Sequence, residues 1–508
     1  MAETAELCCA AAVESARRVG WLDGAYWWQR TALAMVLTLA AADAPGACRD
    51  IRRGEVLSQN SAARADGCLP EPFLELYARG KFNHSVDTAP AAVALADIAA
   101  GRWAATSGVV AYRQDDDFLR ASAENVGRYQ VDANGSIVGE QTHGGRIKGL
   151  PFPAIDARDP QSGTEIVWNH GYAADALGPM RTRFSLDRVT ALGPGFTGPD
   201  QAYVGPGRWR VGDMDIQLAA GSTYRVGPFR TGVVELLARP MSEMSLEGAV
   251  ADWMRQLLLV QREPLESSVT VLRNRYANAN KLDDYWFYIP SLRRVRRLAS
   301  PQQGESLFGS GASLDTLLGF DGKPELFTFR LVEQTEQLVP FDEDALANRV
   351  TWRETEPGVR QLVLPRVPTI GYFERGRRGV AWEPLHVRLA VRPVWIVEAR
   401  PKLPQYPFAK LVLVFDRDVF TCPYILRYIA GSSGEVLFDG IWTPIGYSRL
   451  PDGRAVTLGA PASPKLWVNF GDDSALVAGL SHPAALVELG RAFDPGVFTV
   501  STMVQVTR

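Results

Sequence analysis

The side chains that most often perform acid–base or metal chemistry are sparse in this sequence. Only five histidines occur, and none lies three or four residues from another, so no helical metal pair is present. They are His84, His143, His170, His386 and His482. The run Asp115–Asp117 lacks the glycine turn and distal glutamate of a calcium loop, and favours a solvated turn. The sequence therefore predicts no metal and no cofactor.

Two short motifs resemble catalytic or cofactor signatures but lack their context. Gly193–Gly198 (GPGFTG) has the glycine spacing of a dinucleotide loop, yet prolines interrupt it and no strand–helix unit surrounds it. Gly311–Asp315 (GASLD) lacks the closing glycine of a nucleophile elbow. A Ser–His–Asp triad built from distant residues stays open, because triads are recognised in space.

Basic side chains cluster next to aromatic ones in Asp283–Arg297 (DDYWFYIPSLRRVRR). Strand alternation puts Tyr285, Phe287 and Ile289 on one face, and Trp286 with Tyr288 on the other. A turn at Pro290-Ser291 then leads to a second strand, which carries Arg293, Arg294, Arg296 and Arg297. The arginines could contact nucleic acid, pair with acids at a sheet edge, or hold an anionic headgroup at the mouth of an apolar cavity.

Bulk charge decides against the first of these three interpretations. Lysine and arginine number 54 and aspartate and glutamate number 57, which gives a net charge of −3. A protein that binds nucleic acid usually carries a strong positive excess. We therefore expect no nucleic-acid partner, and the basic cluster is a local feature.

The elements that must position these residues are mostly strands. With 46 glycines and 33 prolines, the composition favours turns and short strands. Alternating or apolar runs predict strands at residues 268–276, 284–289, 386–397, 411–415 and 424–429. Helices are predicted over Ala89–Ala105 and over Leu246–Gln261, whose apolar face includes Trp253 and Leu257. We expect the second helix to be a lid or a cover of the sheet.

The N-terminal region differs from the rest of the chain. Thr31–Ala42 is apolar and uncharged, but its 12 residues are too few to span a bilayer. It fits a signal peptide, and an amphipathic or core helix is the alternative. Of the five cysteines, Cys48 and Cys68 could close a loop in an oxidising compartment. We predict a signal-like segment over 1–48, an irregular or helical extension over 49–108, and one large β domain over 109–508.

Two blocks of sequence resemble a known family. The Trp286, Tyr288 and Pro290 pattern followed by the arginine run is one; Gly149–Asn169, with GLPFPAID and a terminal Trp168-Asn169, is the other. Arg392–Glu398, which contains Trp395, agrees with a further strand of the family. The blocks are similar to those of proteobacterial exported proteins of unknown function that are grouped with the outer-membrane lipoprotein-sorting proteins, the Lol-type carriers.

This resemblance implies a fold, a location and partners. The fold is mainly β with a few helices: a large curved antiparallel sheet, a half-open barrel, closed by helices around an apolar cavity. The location is the periplasm, with association to a membrane possible. The ligand is a lipid or another hydrophobic molecule, and the protein partners are an efflux-type transporter and an outer-membrane protein.

Three functions follow as hypotheses. The first is a non-enzymatic carrier or accessory protein that binds a lipid in its cavity. The second is a hydrolase acting on a hydrophobic substrate there, with His143, His170 or His386 in the pocket, and the third is a structural scaffold of the envelope. The candidate ligand-binding residues are Tyr285, Trp286, Phe287, Tyr288, Arg293, Arg294, Arg296, Arg297, Trp253, Leu257, Trp168 and Trp395.

Overall fold

The computed structural model describes most of the chain from Cys48 onward. The described residues are 48–90, 92–102, 116–139, 147, 149–174, 180–190, 208–220, 252–261, 269–276, 281–298, 303–306, 311–317, 319–346, 351–363, 370–371, 379–449, 455–458, 465–471, 473–479, 486–490 and 498–505. Two compact units are separated between Gly46 and Ala47, and the first unit lies outside these ranges, as do residues 1–47 of the signal-like segment.

Helices are short and strands are many. The helices are α1 (Glu71–Ala78), α2 (Leu95–Ala99), α3 (Asp116–Glu124), α4 (Ser162–Ala174), α5 (Glu343–Leu346) and α6 (Val500–Gln505). The first strands are β1 (Val56–Leu57), β2 (His84–Asp87), β3 (Tyr129–Val131), β4 (Ile137–Gly139), β5 (Met180–Thr190), β6 (Arg208–Ala220), β7 (Asp252–Gln261), β8 (Val269–Tyr276), β9 (Asp284–Ile289) and β10 (Arg294–Leu298).

The remaining strands complete the sheet and one further hairpin. They are β11 (Phe327–Asp342), β12 (Thr351–Glu356), β13 (Val359–Val363), β14 (Val387–Pro401), β15 (Lys410–Asp416), β16 (Tyr424–Gly431), β17 (Gly434–Trp442), β18 (Gly446–Arg449), β19 (Ala455–Leu458), β20 (Lys465–Asn469), β21 (Ser474–Gly479) and β22 (Leu486–Leu489). Short 3₁₀ turns lie at Ala62–Ala65, Pro290–Leu292 and Pro324–Leu326.

Eighteen of the described strands form one sheet. The antiparallel pairing runs β10–β9–β8–β7–β6–β5–β21–β20–β17–β16–β15–β14–β11. A branch from β5 continues through β22 and β13 to β12, and β2 lies parallel to β14 with β1 beside it. The predicted class, a mainly β protein with a curled half-barrel sheet and a few helices, is confirmed.

The central strands bury both of their faces. Trp395, Leu413 and Trp467 lie in one apolar layer, and their neighbours Val394, Val414 and Val468 lie in another. Because successive side chains point to opposite faces, such strands read as continuous apolar runs, as Leu411–Phe415 of β15 does. The sheet therefore separates two hydrophobic cores.

Different segments of chain cover the two faces. One layer, the plug-side layer, is closed by α2, α3 and α4 and by residues 303–306, 311–317 and 319–326, which we call the plug segment. The other, the disulfide-side layer, is closed by the chain from Cys48 to Phe82, including α1. Strand β1 within that chain and strand β2 just after it join the large sheet, so this region is part of the same compact unit as the sheet.

Most of the elements predicted from sequence are confirmed. Strands β8, β9, β14, β15 and β16 match the five predicted runs closely. Helix α2 is shorter than the predicted Ala89–Ala105, and Asp116 and Asp117 begin α3 where a turn was expected. None of the helices within the described ranges has the length and apolarity that a membrane crossing requires.

The helix predicted over Leu246–Gln261 is wrong where the structure describes it. Residues Asp252–Gln261 form β7, which pairs with β6 on one side and β8 on the other. A run such as Leu257–Val260 is apolar at every position and therefore suits a strand as well as a helix, so cross-strand pairing decides. The segment is consequently an interior strand and not a lid.

A disulfide joins Cys48 and Cys68 across the loop that precedes α1, with their Cα atoms 5.1 Å apart. Both residues are buried in the disulfide-side layer. The bond therefore fixes the chain that covers this face of the sheet.

We expect Cys48→Ala/Cys68→Ala to lower the free energy of unfolding by about 3 kcal/mol, because opening a loop of this length restores entropy to the unfolded chain. Urea unfolding followed by tryptophan fluorescence measures this. Reduced wild-type protein is the control and should unfold at the same urea concentration as the variant. Equal stability of the oxidised and reduced proteins would contradict the prediction.

Candidate functional site

The aromatic side chains of β9 divide between two environments. Tyr285 and Phe287 are buried in the plug-side layer. Tyr288 is buried on the opposite face with Leu272, and Trp286 packs against the same cluster. The sequence-based expectation that neither face of this strand is open to solvent is confirmed.

The second face of β9 is covered by the C-terminal helix α6. Phe498, just before this helix, and Met503, within it, are buried against Tyr288. Within the described part of the chain this short helix contacts β8 and β9. Trp286 and Tyr288 are therefore held away from the plug-side layer.

The arginines follow on an exposed edge strand. Pro290–Leu292 makes the predicted turn, and Arg293 adopts a left-handed conformation (φ 48°) at its end. Every residue from Ser291 to Arg297 is exposed, and within the described chain β10 pairs only with β9. Arg297 forms an ion pair with Asp284.

The register of the hairpin assigns each arginine to a face. Arg294 lies opposite Ile289 and Arg296 opposite Phe287, whereas Arg297 lies opposite Trp286. Directly opposed residues of an antiparallel pair share a face. Arg294 and Arg296 therefore stand at the rim of the plug-side layer, and Arg297 stands on the face covered by α6.

The other predicted residues are spread over the unit. Trp395 is buried in the plug-side layer, whereas Trp168 is buried in a separate cluster with Tyr129 and Phe152. Trp253 and Leu257 lie on β7, with Trp253 at an irregularity of the β7–β8 pairing and Leu257 opposite Leu272. The structure thus brings together Tyr285, Phe287 and Trp395, but not Trp168.

Charged side chains on the plug-side face of the sheet are the main feature that sequence reasoning missed. Alternation along the strands puts them on the same side as apolar core residues; Arg273 and Arg275 follow Val271, and Arg427 follows Ile425. Arg273 and Arg427 are fully buried, as is Lys465 on β20. A buried charge is tolerated only with a partner, and the plug segment supplies most of these partners.

Arg427 anchors the first part of the plug segment. Its guanidinium forms a bidentate ion pair with Asp439 on β17, with Nε 2.7 Å from Oδ1. It also donates to Ser313 Oγ (3.0 Å) and to the carbonyl oxygen of Gly311 (2.7 Å). Ser313 in turn donates to Asp315, which also accepts from Tyr406. Burial raises the pKa of Asp315, and these two hydrogen bonds oppose that rise.

Asp321 anchors the second part of the plug segment to β8. Its carboxylate accepts from Arg273 Nη1 (2.5 Å) and from Arg275 Nη1 (2.8 Å), and Arg275 Nε also donates to Asp283 (3.0 Å). Burial raises the pKa of Asp321, and the guanidinium of Arg275 opposes the rise. Two arginines and two aspartates thus neutralise one another inside the protein.

Lys465 and His170 bind backbone carbonyl groups of the same segment. Lys465 Nζ donates to the carbonyl oxygens of Thr316 and Leu317, and burial lowers its pKa to about 7. His170 on α4 lies 3.1 Å from the carbonyl oxygen of Phe320 and 2.6 Å from that of Phe420. Gly319 has φ +108°, and a Cβ there would lie 3.1 Å from His170 Nε2, so glycine is required at this approach.

The described histidines serve as structural links. Burial lowers the pKa of His170, whose ring bridges the plug segment and the loop between β15 and β16. His84 lies 2.9 Å from Tyr77 Oη and 2.8 Å from the carbonyl oxygen of Pro384, and His386 faces Glu343 at 3.7 Å. His143 and His482 lie outside the described residues. These contacts give the hydrolase hypothesis no support.

A cleft opens where the plug segment meets α4. Its empty volume is about 420 Å³, part of it open to solvent. The lining residues are Val167, Trp168, Gly171, Arg275, Tyr276, Phe320, Asp321, Gly322, Lys323, Pro324 and Glu325. Burial raises the pKa of Glu325 to about 7. The lining thus combines three aromatic side chains with four charged ones.

A sequence signal for the buried charges does exist. In Val269–Tyr276 the arginines occupy every second position after a valine, so they must share its face. The same holds for Arg427 two residues after Ile425. What the sequence does not show is that the plug segment supplies Asp321 and Ser313 to meet them.

The comparisons with known proteins agree with part of the resemblance seen in the sequence. Residues 247–433 match a family model described as a protein of unknown function, DUF1329. This range contains the aromatic and arginine hairpin and most of the plug-side face, but not the block Gly149–Asn169. No curated protein sequence matches the chain.

Three solved structures are similar to this chain at low identity. A DUF1329 family protein from Desulfovibrio piger is 11% identical, with 68% of this chain and 99% of that chain covered and a TM-score of 0.39. A domain from Vibrio parahaemolyticus, named for outer membrane lipoprotein sorting, is 12% identical, with 68% and 100% covered and a TM-score of 0.38. A LolA superfamily protein from Nitrosomonas europaea is 8% identical, with 67% and 98% covered and a TM-score of 0.34.

We expect Asp439→Leu to destabilise the protein by about 3–5 kcal/mol, because it leaves the Arg427 charge buried without its carboxylate. Adding Arg427→Met should recover part of that loss but should speed hydrogen exchange in residues 311–317, which lose two hydrogen bonds. Urea unfolding and hydrogen-exchange mass spectrometry measure the two effects. Arg79→Met, in an ion pair whose side chains are 56% and 52% exposed, is the control and should change stability by less than about 0.5 kcal/mol. If the effects of Asp439→Leu and Arg427→Met on the free energy of unfolding were additive, the prediction that these two side chains are energetically coupled would be wrong.

We expect the wild-type free energy of unfolding to rise with pH between about 7 and 10, relative to Lys465→Met. The folded lysine releases its proton near pH 7, whereas the unfolded one holds it to about pH 10.4, so unfolding takes up a proton in this window. Urea unfolding at several pH values checks this, with a slope difference of up to about 1.4 kcal/mol per pH unit. Parallel curves for the two proteins would show that Lys465 stays charged in the fold.

Proposed function

We propose that this protein is a non-enzymatic periplasmic carrier, or an accessory protein, that binds a long-chain amphiphile on the plug-side face of its sheet. The observation that carries the proposal is one large apolar layer, with side chains from β9, β14–β17 and β20, that is covered by short helices and an irregular segment. Arg294 and Arg296 stand at its rim, where they suit an anionic headgroup.

The apolar face is covered by side chains that a ligand would replace. Leu314, Leu317 and Phe320 of the plug segment pack against it. Exposing three such side chains costs about 5–9 kcal/mol, whereas burying a chain of sixteen carbons gains about 12 kcal/mol. A chain of eight carbons gains only about 6 kcal/mol. Displacement also breaks the polar contacts of the plug segment with Arg273, Arg427 and Lys465, so we expect binding to depend strongly on chain length and to favour long chains.

The cover is suited to displacement because it does not belong to the sheet. The plug segment is held by side-chain hydrogen bonds and ion pairs from Arg427, Lys465 and Arg273. Its departure would therefore leave the strand pairing intact. Its return would restore partners to the buried charges, which provides a driving force for ligand release.

The disulfide supports an exported protein. Bonds such as Cys48–Cys68 form and persist in oxidising compartments, among them the bacterial periplasm. A membrane transporter of the efflux type and an outer-membrane protein remain the predicted partners. The signal-like segment that would direct export lies outside the described residues.

We expect the full chain, purified from the periplasm of a Gram-negative host, to carry a bound amphiphile that native mass spectrometry detects and organic extraction releases. Arg294→Glu/Arg296→Glu should lower occupancy by about tenfold or more, because two favourable charges become repulsive. Arg128→Glu/Arg158→Glu, at two exposed arginines elsewhere, is matched in charge and should keep the ligand.

Binding of lysophospholipids of increasing chain length tests the same proposal in vitro. Sixteen-carbon chains should bind and eight-carbon chains should not. Absence of bound lipid together with equal, weak binding of all chain lengths would contradict the carrier function. That outcome would favour the envelope scaffold, in which the protein's own side chains fill the interior.

A further inference from the structure

The cleft between α4 and the plug segment contains a buried carboxylate whose acceptor atom is not used. Glu325 is only 9% exposed, and its Oε2 atom has no hydrogen-bond partner among the residues that the structure describes. A buried acceptor that remains unsatisfied costs free energy, so such a group in a native protein requires an explanation. Glu325 is one of the residues that line the cleft, and its Oε2 atom is almost fully buried, so a ligand would bind it once the side chain turns toward the cleft.

Aromatic rings form the walls around this carboxylate. Trp168, Tyr276 and Phe320 line the same cleft. The indole N–H of Trp168 donates to the carbonyl oxygen of Gly135 (2.8 Å), so this side chain offers the cleft its ring and not its donor. The ring of Tyr276 already holds one ammonium group, Lys281 Nζ, at 3.5 Å from its centroid. Aromatic faces attract cations in this way.

The other charged groups of the cleft are directed toward partners of their own. Lys323 Nζ donates to the carbonyl oxygens of Lys281 (2.6 Å) and Tyr276 (3.3 Å). Arg275 pairs with Asp283 and Asp321. Among the charged groups that line the cleft, Glu325 is therefore the one whose carboxylate forms no hydrogen bond with a cation of the described chain. The charges that line the cleft balance, two positive against two negative, so what the cleft offers a cationic ligand is the unpaired acceptor of Glu325 and not an excess of negative charge.

We propose that this cleft binds a primary ammonium group, with Glu325 as its carboxylate partner and the rings of Trp168 and Tyr276 as its walls. A small ammonium group brings three N–H donors and fits a cleft of this size. A divalent metal would need several oxygen or nitrogen ligands, and no group of three such acidic, histidine or cysteine side chains exists in the described part of the chain.

The ammonium group has two possible sources, a free amine or the headgroup of an amine-bearing lipid. Phe320 belongs both to the wall of the cleft and to the plug-side layer, so the cleft lies beside the proposed place of an acyl chain. The site itself does not depend on the proposed carrier function, because a free amine needs no apolar face.

Calorimetric titration with ethanolamine tests the site, with 1,2-ethanediol as a neutral ligand of equal size. We expect ethanolamine to bind the full-length protein at pH 8 with a Kd on the order of 1 mM, and the diol not to bind. Glu325→Gln keeps the shape and removes a buried charge, so it should fold, and it should weaken binding at least about tenfold.

Glu165→Gln is the matched control. The pKa of Glu165 is also raised to about 7, by burial and by Asp159 and Asp156, but this residue does not line the cleft, so the variant should bind ethanolamine as the wild type does. Equal binding by Glu325→Gln and the wild type, or equal binding of the diol, would overturn the proposal.

The pH dependence gives a second readout that needs no variant. Burial raises the pKa of Glu325 to about 7, with Lys323 and Arg275 lowering it and Asp283 raising it. Ethanolamine stays protonated throughout, so its affinity should fall about tenfold as pH drops from 8 to 6 and the carboxylate takes up a proton. An affinity that does not change over this range would also overturn the proposal.

Two lysophospholipids of equal chain length separate the sources. If the site binds a lipid headgroup, lysophosphatidylethanolamine should bind more tightly than lysophosphatidylglycerol. Glu325→Gln should then abolish this difference in affinity. If it serves a free amine, the two lipids should bind alike while ethanolamine still requires Glu325. Failure of both lipids to bind would count against the carrier function and leave the ethanolamine result to decide this site.

Discussion

The structure depends on neutralising the charged side chains that face an apolar layer. Arg273, Arg427 and Lys465 point from the sheet into the plug-side core and are fully buried there. Leaving any of them without a partner would cost several kcal/mol. The plug segment answers this constraint, since Asp321, Ser313 and the carbonyl groups around Thr316 lie where those charges need them. An irregular stretch of chain thereby acquires a defined position.

This arrangement links the fold to the proposed function. A second sheet packed on the same face would be held together by its own backbone hydrogen bonds, and its removal would unfold the domain. The plug segment is instead attached through side chains, so the sheet and its cover are separable parts. The same side chains also give the plug segment one defined position on the sheet, because hydrogen bonds and ion pairs fix a geometry that apolar contacts alone do not fix. A ligand-binding face needs both properties, order when empty and access when a ligand arrives.

The two terminal strands of the main pairing order, β10 and β11, are protected from further strand pairing in different ways. At one end, β10 presents arginines on an exposed strand, which discourages edge-to-edge pairing and also charges the rim of the plug-side layer. At the other end, β11 carries exposed polar residues such as Glu333 and Glu336 along its middle. The disulfide-side layer is closed by covalently tied chain and is the more permanent core.

Strand positions were predictable wherever the residue pattern allowed a single interpretation. Val269–Tyr276 alternates, and Asp284–Ile289 is rich in aromatics and bounded by Pro290, so local sterics and the turn define both strands. The apolar residues of Leu246–Gln261 satisfy helical spacing as well, and only the neighbouring strands β6 and β8 select the extended form of its described part, Asp252–Gln261. Pairing partners lie far away in sequence and leave no local trace.

The sequence by itself determined the β class, the hairpin with aromatics on both faces, the cysteines able to form a bridge and the family resemblance. Tertiary structure alone decided the buried charge network, the separation of Trp168 from Trp395 and the cleft at Glu325. The physical reason is that periodicity reports which side chains share a face of one element. Burial and charge neutralisation depend on which segment packs against that face, and here the partners are an irregular segment and strands up to about 150 residues apart along the chain.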